Sequence, residues 1–147
     1  MTVFADSSAL VKLYVAEAGH AAIGRISGPI VVSSLARVEV PAALWAKSRI
    51  GDLDAVDAAL LTAAFEADFH GDAHAPPRFI PVAASLDVLI AAARAAAAHG
   101  LRGYDSVQLA SATAARAADP SIGSVAVFDV RLRAAFLAEG FVPVAGT

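Results

Sequence analysis

The sequence predicts an α/β fold in which a mainly parallel sheet of four to five strands carries helices on both faces. Three observations predict it. Short apolar and β-branched runs alternate with longer helical stretches along the chain. Hydrophobic residues make up 58% of the 147 residues and charged residues only 17%, which is enough apolar chain for a sizeable core in one domain over residues 1–147. Acids stand where two of the apolar runs give way to helices, Asp6 and Asp129.

Taken in order, Val3–Ala5 reads as the first strand. Ser7 to about Ala16 reads as a helix and Gly19 to about Ile26 as a shorter one. Residues 29–32 (PIVV) are compact and β-branched, a second strand. Ser33 or Ser34 then caps a long helix through about Ile50, whose apolar positions Leu35, Val38, Ala42 and Trp45 follow helical spacing. Pro41 falls inside that pattern and is a candidate kink. After Gly51 and Asp52, residues 54–69 form a further amphipathic helix, and residues 70–78 (HGDAHAPPR) are the clearest loop. Phe79–Val82 is a candidate strand. Ser85–Ala98 is an alanine-rich helix, and residues 99–103 turn into a helix over Tyr104–Ala118. Ile122–Phe128 is a strand, Val130–Glu139 a helix and Phe141–Val144 a last strand. No internal repeat or linker interrupts the series.

Composition narrows the function. A formal net charge of −3 argues against coating nucleic acid by bulk charge, though a local basic rim is compatible with it. With no cysteine there is no disulfide and no thiolate zinc site. The first residues lack the basic region of a signal peptide. The longest apolar segment, residues 79–98, is broken by Pro81, Asp87 and Arg94, so a membrane span is not expected. The expectation is a soluble, cytoplasmic protein. His70 and His74 stand four apart, but Gly71 and the following prolines argue against a helical zinc face.

In open α/β sheets, ligands bind beyond the carboxyl ends of the strands. Asp6 and Asp129 follow strands and belong at that edge. Asp105, in RGYDSVQLASA, opens a helix on the stripe shared with Leu109 and Ala112. Glu39, in SSLARVEVPAAL, lies among apolar neighbours, where a carboxylate is costly unless paired or bound to a cation. Each acid has an ordinary alternative. Asp6, Asp105 and Asp129 suit helix starts, and Glu39 suits a salt bridge to an arginine. Together they point further. Carboxylates about 4 Å apart at an effective dielectric near 20 repel by about 4 kcal/mol per pair. Protonation or a cation relieves such a cluster. An all-oxygen donor set favours Mg²⁺, with Mn²⁺ as the alternative.

These segments resemble the PIN-domain family, specifically its VapC-type toxin ribonucleases. The likeness rests on DSSAL at residues 6–10, SLARVEV around Glu39, YDSVQLA around Asp105 and FDVRL around Asp129, in order along nearly the whole chain. The resemblance implies a PIN-like three-layer α/β/α sandwich and Mg²⁺-dependent endonuclease action on RNA. It also implies a cognate VapB-like antitoxin and a homodimer. Asp6, Glu39, Asp105 and Asp129 match the family's acidic site, as catalytic residues and metal ligands, and Ser7 matches its supporting hydroxyl. Where many relatives carry Thr or Ser two residues before the last acid, this chain has Val127.

The chemistry expected of such a site is hydrolysis by metal-activated water, with in-line attack at phosphorus and 5′-phosphate and 3′-hydroxyl products. Arg102, and with it Arg37, Arg131 and Arg133, are candidates for a rim that binds substrate phosphates. The apolar excess over residues 34–69 suggests a groove for an antitoxin helix or a dimer seam. A phosphatase with Asp6 as nucleophile would want a second acid at position 8, which is Ser8. A phosphoacceptor domain would want paired acids that are absent here. The remaining rival is a non-catalytic PIN-like module that binds RNA or a partner.

Overall fold

The computed structural model describes residues 2–147. The strands are β1 (Val3–Ala5), β2 (Ile30–Ser33), β3 (Phe79–Val82), β4 (Ser124–Ala126) and β5 (Val142–Pro143). The helices are α1 (Ser7–Tyr14), α2 (His20–Gly24), α3 (Ala36–Arg49), α4 (Ala55–Ala67), α5 (Leu86–His99), α6 (Gly103–Ala118) and α7 (Val130–Ala138). All strand pairs are parallel, in the order β3-β2-β1-β4-β5. β1 is central, and the chain winds outward from it in both directions. The gap between helices that leave β1 and β4 towards opposite faces is the topological switch point of such a sheet.

Side-chain alternation along the strands divides the core in two. Val3, Ala5, Ile30, Val32 and Ala126 face one layer, where they meet Leu10, Ile23, Val40, Leu44 and Phe65 from α1 to α4. Phe4, Val31, Val125 and Val127 face the other, against Leu109, Ala112, Leu132 and Phe136 of α6 and α7. Phe65 anchors the first layer through rings of Tyr14, Phe69 and Phe79, at centroid distances of 5.7, 5.2 and 5.6 Å. α5 packs outside α6 through Val88, Ala92, Val107 and Ala110. Gly19, at φ +96°, lies under the Phe128 ring, where a Cβ would come within 2.4 Å of it.

The structure corrects several sequence expectations. The inward stripe of α3 is Ala36, Val40 and Leu44, while Val38 and Trp45 are 63% and 38% exposed. Spacing alone admits both registers; contact with the sheet selects one. Neither Ser33 nor Ser34 is the N-cap of α3, which is Leu35 without a side-chain bond. The Ser34 hydroxyl accepts instead from the Ala84 amide, and Ser33 meets the Ser111 hydroxyl at 3.1 Å. β4 and β5 are shorter than their apolar runs, and Val127 and Phe141 are buried outside the paired register. Among the described residues no helix is long and apolar enough to cross a membrane.

Candidate active site

β1 delivers Asp6 at its carboxyl end, where the side chain is only 4% exposed. Its Oδ1 accepts from the Ala9 amide at 3.0 Å and the Ser8 hydroxyl at 2.8 Å, so Asp6 does cap α1. Its own amide donates to the Ala126 carbonyl of β4 at 3.1 Å, which holds the acid at the switch point. Burial pushes the carboxyl up to about 7. The Ser8 and Ala9 hydrogen bonds oppose that rise, and the Glu39 charge adds to it.

Glu39 stands in the first turn of α3 and is half-buried. It has no arginine partner. The Gln108 Nε2 of α6 donates to its Oε1 at 2.9 Å. Burial raises its pKa first, and the charge of Asp105 raises it further, against the bonds from Gln108 and Ser7. Asp105 opens α6, one turn before Gln108. Asp129 caps α7, its Oδ1 accepting from the Leu132 amide at 2.8 Å. Arg102 links these last two acids. Its Nε donates to Asp105 Oδ2 at 3.1 Å, and its Nη2 lies 3.8 Å from Asp129 Oδ2. The side chain is 76% exposed, and both acids raise its pKa, Asp105 more.

The acids thus interact in a series, Asp6 with Glu39, Glu39 with Asp105, and Asp105 with Asp129 through Arg102. Capping and convergence are not alternatives. A helix start at the carboxyl edge puts the capping oxygen and the site in the same place. Arg102, Phe128, Asp129, Val130 and Arg131 line an open cleft of about 560 Å³ beside them. Arg37 is engaged elsewhere, paired with Glu66 and 4.8 Å from the Phe69 ring centroid. His70 faces Glu66 at 3.4 Å.

Two residues here escape sequence reasoning. Gln108 is 1% exposed and donates both to Glu39 and to the Ser7 hydroxyl, each at 2.9 Å. The signal was present: an amide among Val107, Leu109 and Ala110, the same anomaly that singles out Glu39. Ser8 donates to Asp6 and accepts from the Phe128 amide at 3.0 Å. Its partner lies 120 residues away, so nothing local announces it. Ser8 brings a hydroxyl to the β4–α7 connection, where Val127 itself is buried in the core.

The donors are carboxylates, hydroxyls and an amide, a set suited to a hard cation. Among the described residues no group of three or more His, Asp or Glu side chains is placed to hold a metal ion. The arrangement fits a Mg²⁺ site in which the protein supplies one or two carboxylates and water fills the rest, not a closed carboxylate cage.

No protein-family model and no curated protein sequence matches the chain. Among solved structures, the chain is similar to that of Mycobacterium tuberculosis VapC20, a sarcin-ricin loop cleaving toxin. The identity is 17% and the TM-score 0.64, over 95% of this chain and 96% of that one. At that identity the likeness speaks for the fold: this chain has the PIN-like α/β/α fold of that VapC toxin.

Proposed function

We propose that this chain is a Mg²⁺-dependent endoribonuclease, the toxin of a toxin–antitoxin pair, which hydrolyses RNA phosphodiester bonds. One observation carries the reading. Asp6, Glu39, Asp105 and Asp129 come from four separate elements and couple electrostatically at the switch point of the sheet, with Asp6 buried and its pKa raised to about 7. A fold has no need to bury a carboxylate beside another acid. A cation-dependent site does. The shared fold with an RNA-cleaving toxin supports the choice of substrate.

One or two of Asp6, Glu39, Asp105 and Asp129 would hold the ion directly and the others through its waters, with Mn²⁺ as a substitute. When bound, such an ion lowers the pKa of a coordinated water and offsets the charge of the scissile phosphate. The protein's own contribution is positional. Ser8 and the Ala9 amide fix the Asp6 carboxylate, and Ser7 and Gln108 fix Glu39. Arg102 and Arg131, at the cleft, supply positive charge for RNA phosphates in an otherwise acidic protein. A VapB-like antitoxin and a second copy of the chain are the proposed protein partners, and the cytoplasm the proposed location. Val38 and Trp45 on α3, Ile50 just after it, and Val56 and Leu60 on α4 are exposed and available to a partner.

The test is cleavage of structured RNA by purified protein with Mg²⁺, with Mn²⁺ and with chelator, followed by sequencing of the ends. The expected result is metal-dependent cleavage leaving 5′-phosphates, lowered at least about 100-fold in Asp6→Asn, more than is typical for loss of a residue that only supports a ligand. Full activity in that variant would sink the reading. The rival, a module that binds without cleaving, draws on the Arg102 bridge, which already balances two of the acids. Absence of Mn²⁺ binding in a calorimetric titration would favour it.

A further inference from the structure

We propose that Gln108 is a positioning residue for the reaction, aiming the Glu39 carboxylate through its amide. This rests on the function proposed above. The amide is 1% exposed. Its Nε2 spends both protons on site groups, the Ser7 hydroxyl of α1 and Glu39 Oε1 of α3, each at 2.9 Å. Its Oε1 is buried and, among the described residues, meets no hydrogen-bond partner. A glutamine kept for folding alone would use its acceptor, because a buried carbonyl left unpaired is destabilising. Here the donor half is fully used and the acceptor half is not. That asymmetry is what an acidic site requires, since carboxylates and hydroxyl lone pairs need donors.

The support beneath Gln108 is rigid. Ser106 to Ala112 of α6 are all buried. One turn along, Ser111 meets Ser33 of β2 at 3.1 Å, which docks the helix on the sheet. A side chain on such a support can hold a carboxylate to a fraction of an ångström. Asp105 lies three residues before Gln108 on the same helix, so one element sets the spacing of both acids.

The experiment is a double-mutant cycle of Gln108→Leu with Glu39→Gln, on full-length protein. It reads kcat and KM for RNA cleavage, Mn²⁺ affinity by calorimetry, and the thermal melt. Gln108→Leu is expected to keep its fold, to lower kcat or Mn²⁺ affinity by about 10–100-fold, and to leave KM for RNA unchanged. The double variant is expected to be no worse than Glu39→Gln alone, because Gln108 acts through Glu39. Multiplicative losses, or wild-type kcat together with wild-type Mn²⁺ affinity in Gln108→Leu, would overturn the proposal. If Gln108→Leu does not fold, Gln108→Asn keeps the amide but withdraws it by one methylene. It is then expected to lose kcat with an unchanged melt, and wild-type kcat there would equally overturn the proposal. A wild-type protein that binds no Mn²⁺ and cleaves no RNA is a different result, which refutes the endoribonuclease reading itself.

Discussion

The two halves of the acidic edge face the same problem and solve it differently. On the β1 side, Asp6 is sealed from water beside Glu39, and among the described residues no cation pairs with it. Burial favours its protonated form, and donors from Ser8 and Ala9 steady its charge. On the rim, the Asp105 and Asp129 side chains are 19% and 32% exposed, and the solvated Arg102 bridges them. Solvent access makes the difference. Burial penalises the charged form steeply, so only a proton or a dehydrated ion can serve inside. At the surface, water shares the cost and a long side chain suffices. The inner half is the part with most to gain from a divalent ion.

The largest effect that would test this contrast is the pH dependence of stability without metal. The Asp6 carboxyl titrates near 7 in the native state against an ordinary value of 3.8. Between those values the native state keeps a proton that the unfolded chain has lost. The stability it contributes is therefore complete below a pH of about 4 and is lost as pH rises through about 7. The ceiling is about 4 kcal/mol. Asp6→Asn keeps the Oδ1 acceptor and removes the ionisation. Denaturant melts should show the variant gaining on wild type across that range, and Mg²⁺ above it should stabilise wild type alone. Parallel curves for the two proteins would mean that the inner acid is not strained.

A smaller effect is expected at the joint between the halves. Ser8→Ala removes the donor to Asp6 and strands the partly buried Phe128 amide, the residue before Asp129. A loss of about 1–3 kcal/mol is expected in chemical denaturation. The Asp6 carboxyl should titrate higher still, by NMR of its side chain. The smallest effect on the fold belongs to the rim. Arg102→Ala should leave the melt unchanged, tighten Mn²⁺ binding at low salt and weaken RNA binding. Both differences should shrink in high salt, because exposed charges are screened. A change in the melt as large as that of Ser8→Ala would erase the distinction between inner and outer acids.

Much of this was legible before any coordinates. The strand and helix alternation specified a parallel sheet, and the acids at strand ends marked its carboxyl edge. α6 was also plain, because Asp105, Leu109 and Ala112 mark its inner stripe. Other features were not. α3 offers two stripes at equal spacing, and Val38 and Trp45 lie on the one that faces outward. The hydroxyls of Ser33 and Ser34 suit a cap, yet Ser33 joins the Leu35 amide to Ser111 of α6, and Ser34 bonds to the β3–α5 connection. A side chain's partner is a property of what folds against it, and sequence distance hides that.

The sequence by itself determined the architecture and the residue types of the site, because periodicity and the need to bury apolar surface act locally along the chain. Only the tertiary structure decided which groups meet. It set Gln108 between Ser7 and Glu39, Ser8 between Asp6 and Phe128, and Arg102 between Asp105 and Asp129. Hydrogen bonds and charge coupling act over a few ångströms, and only the folded chain brings such distant residues that close.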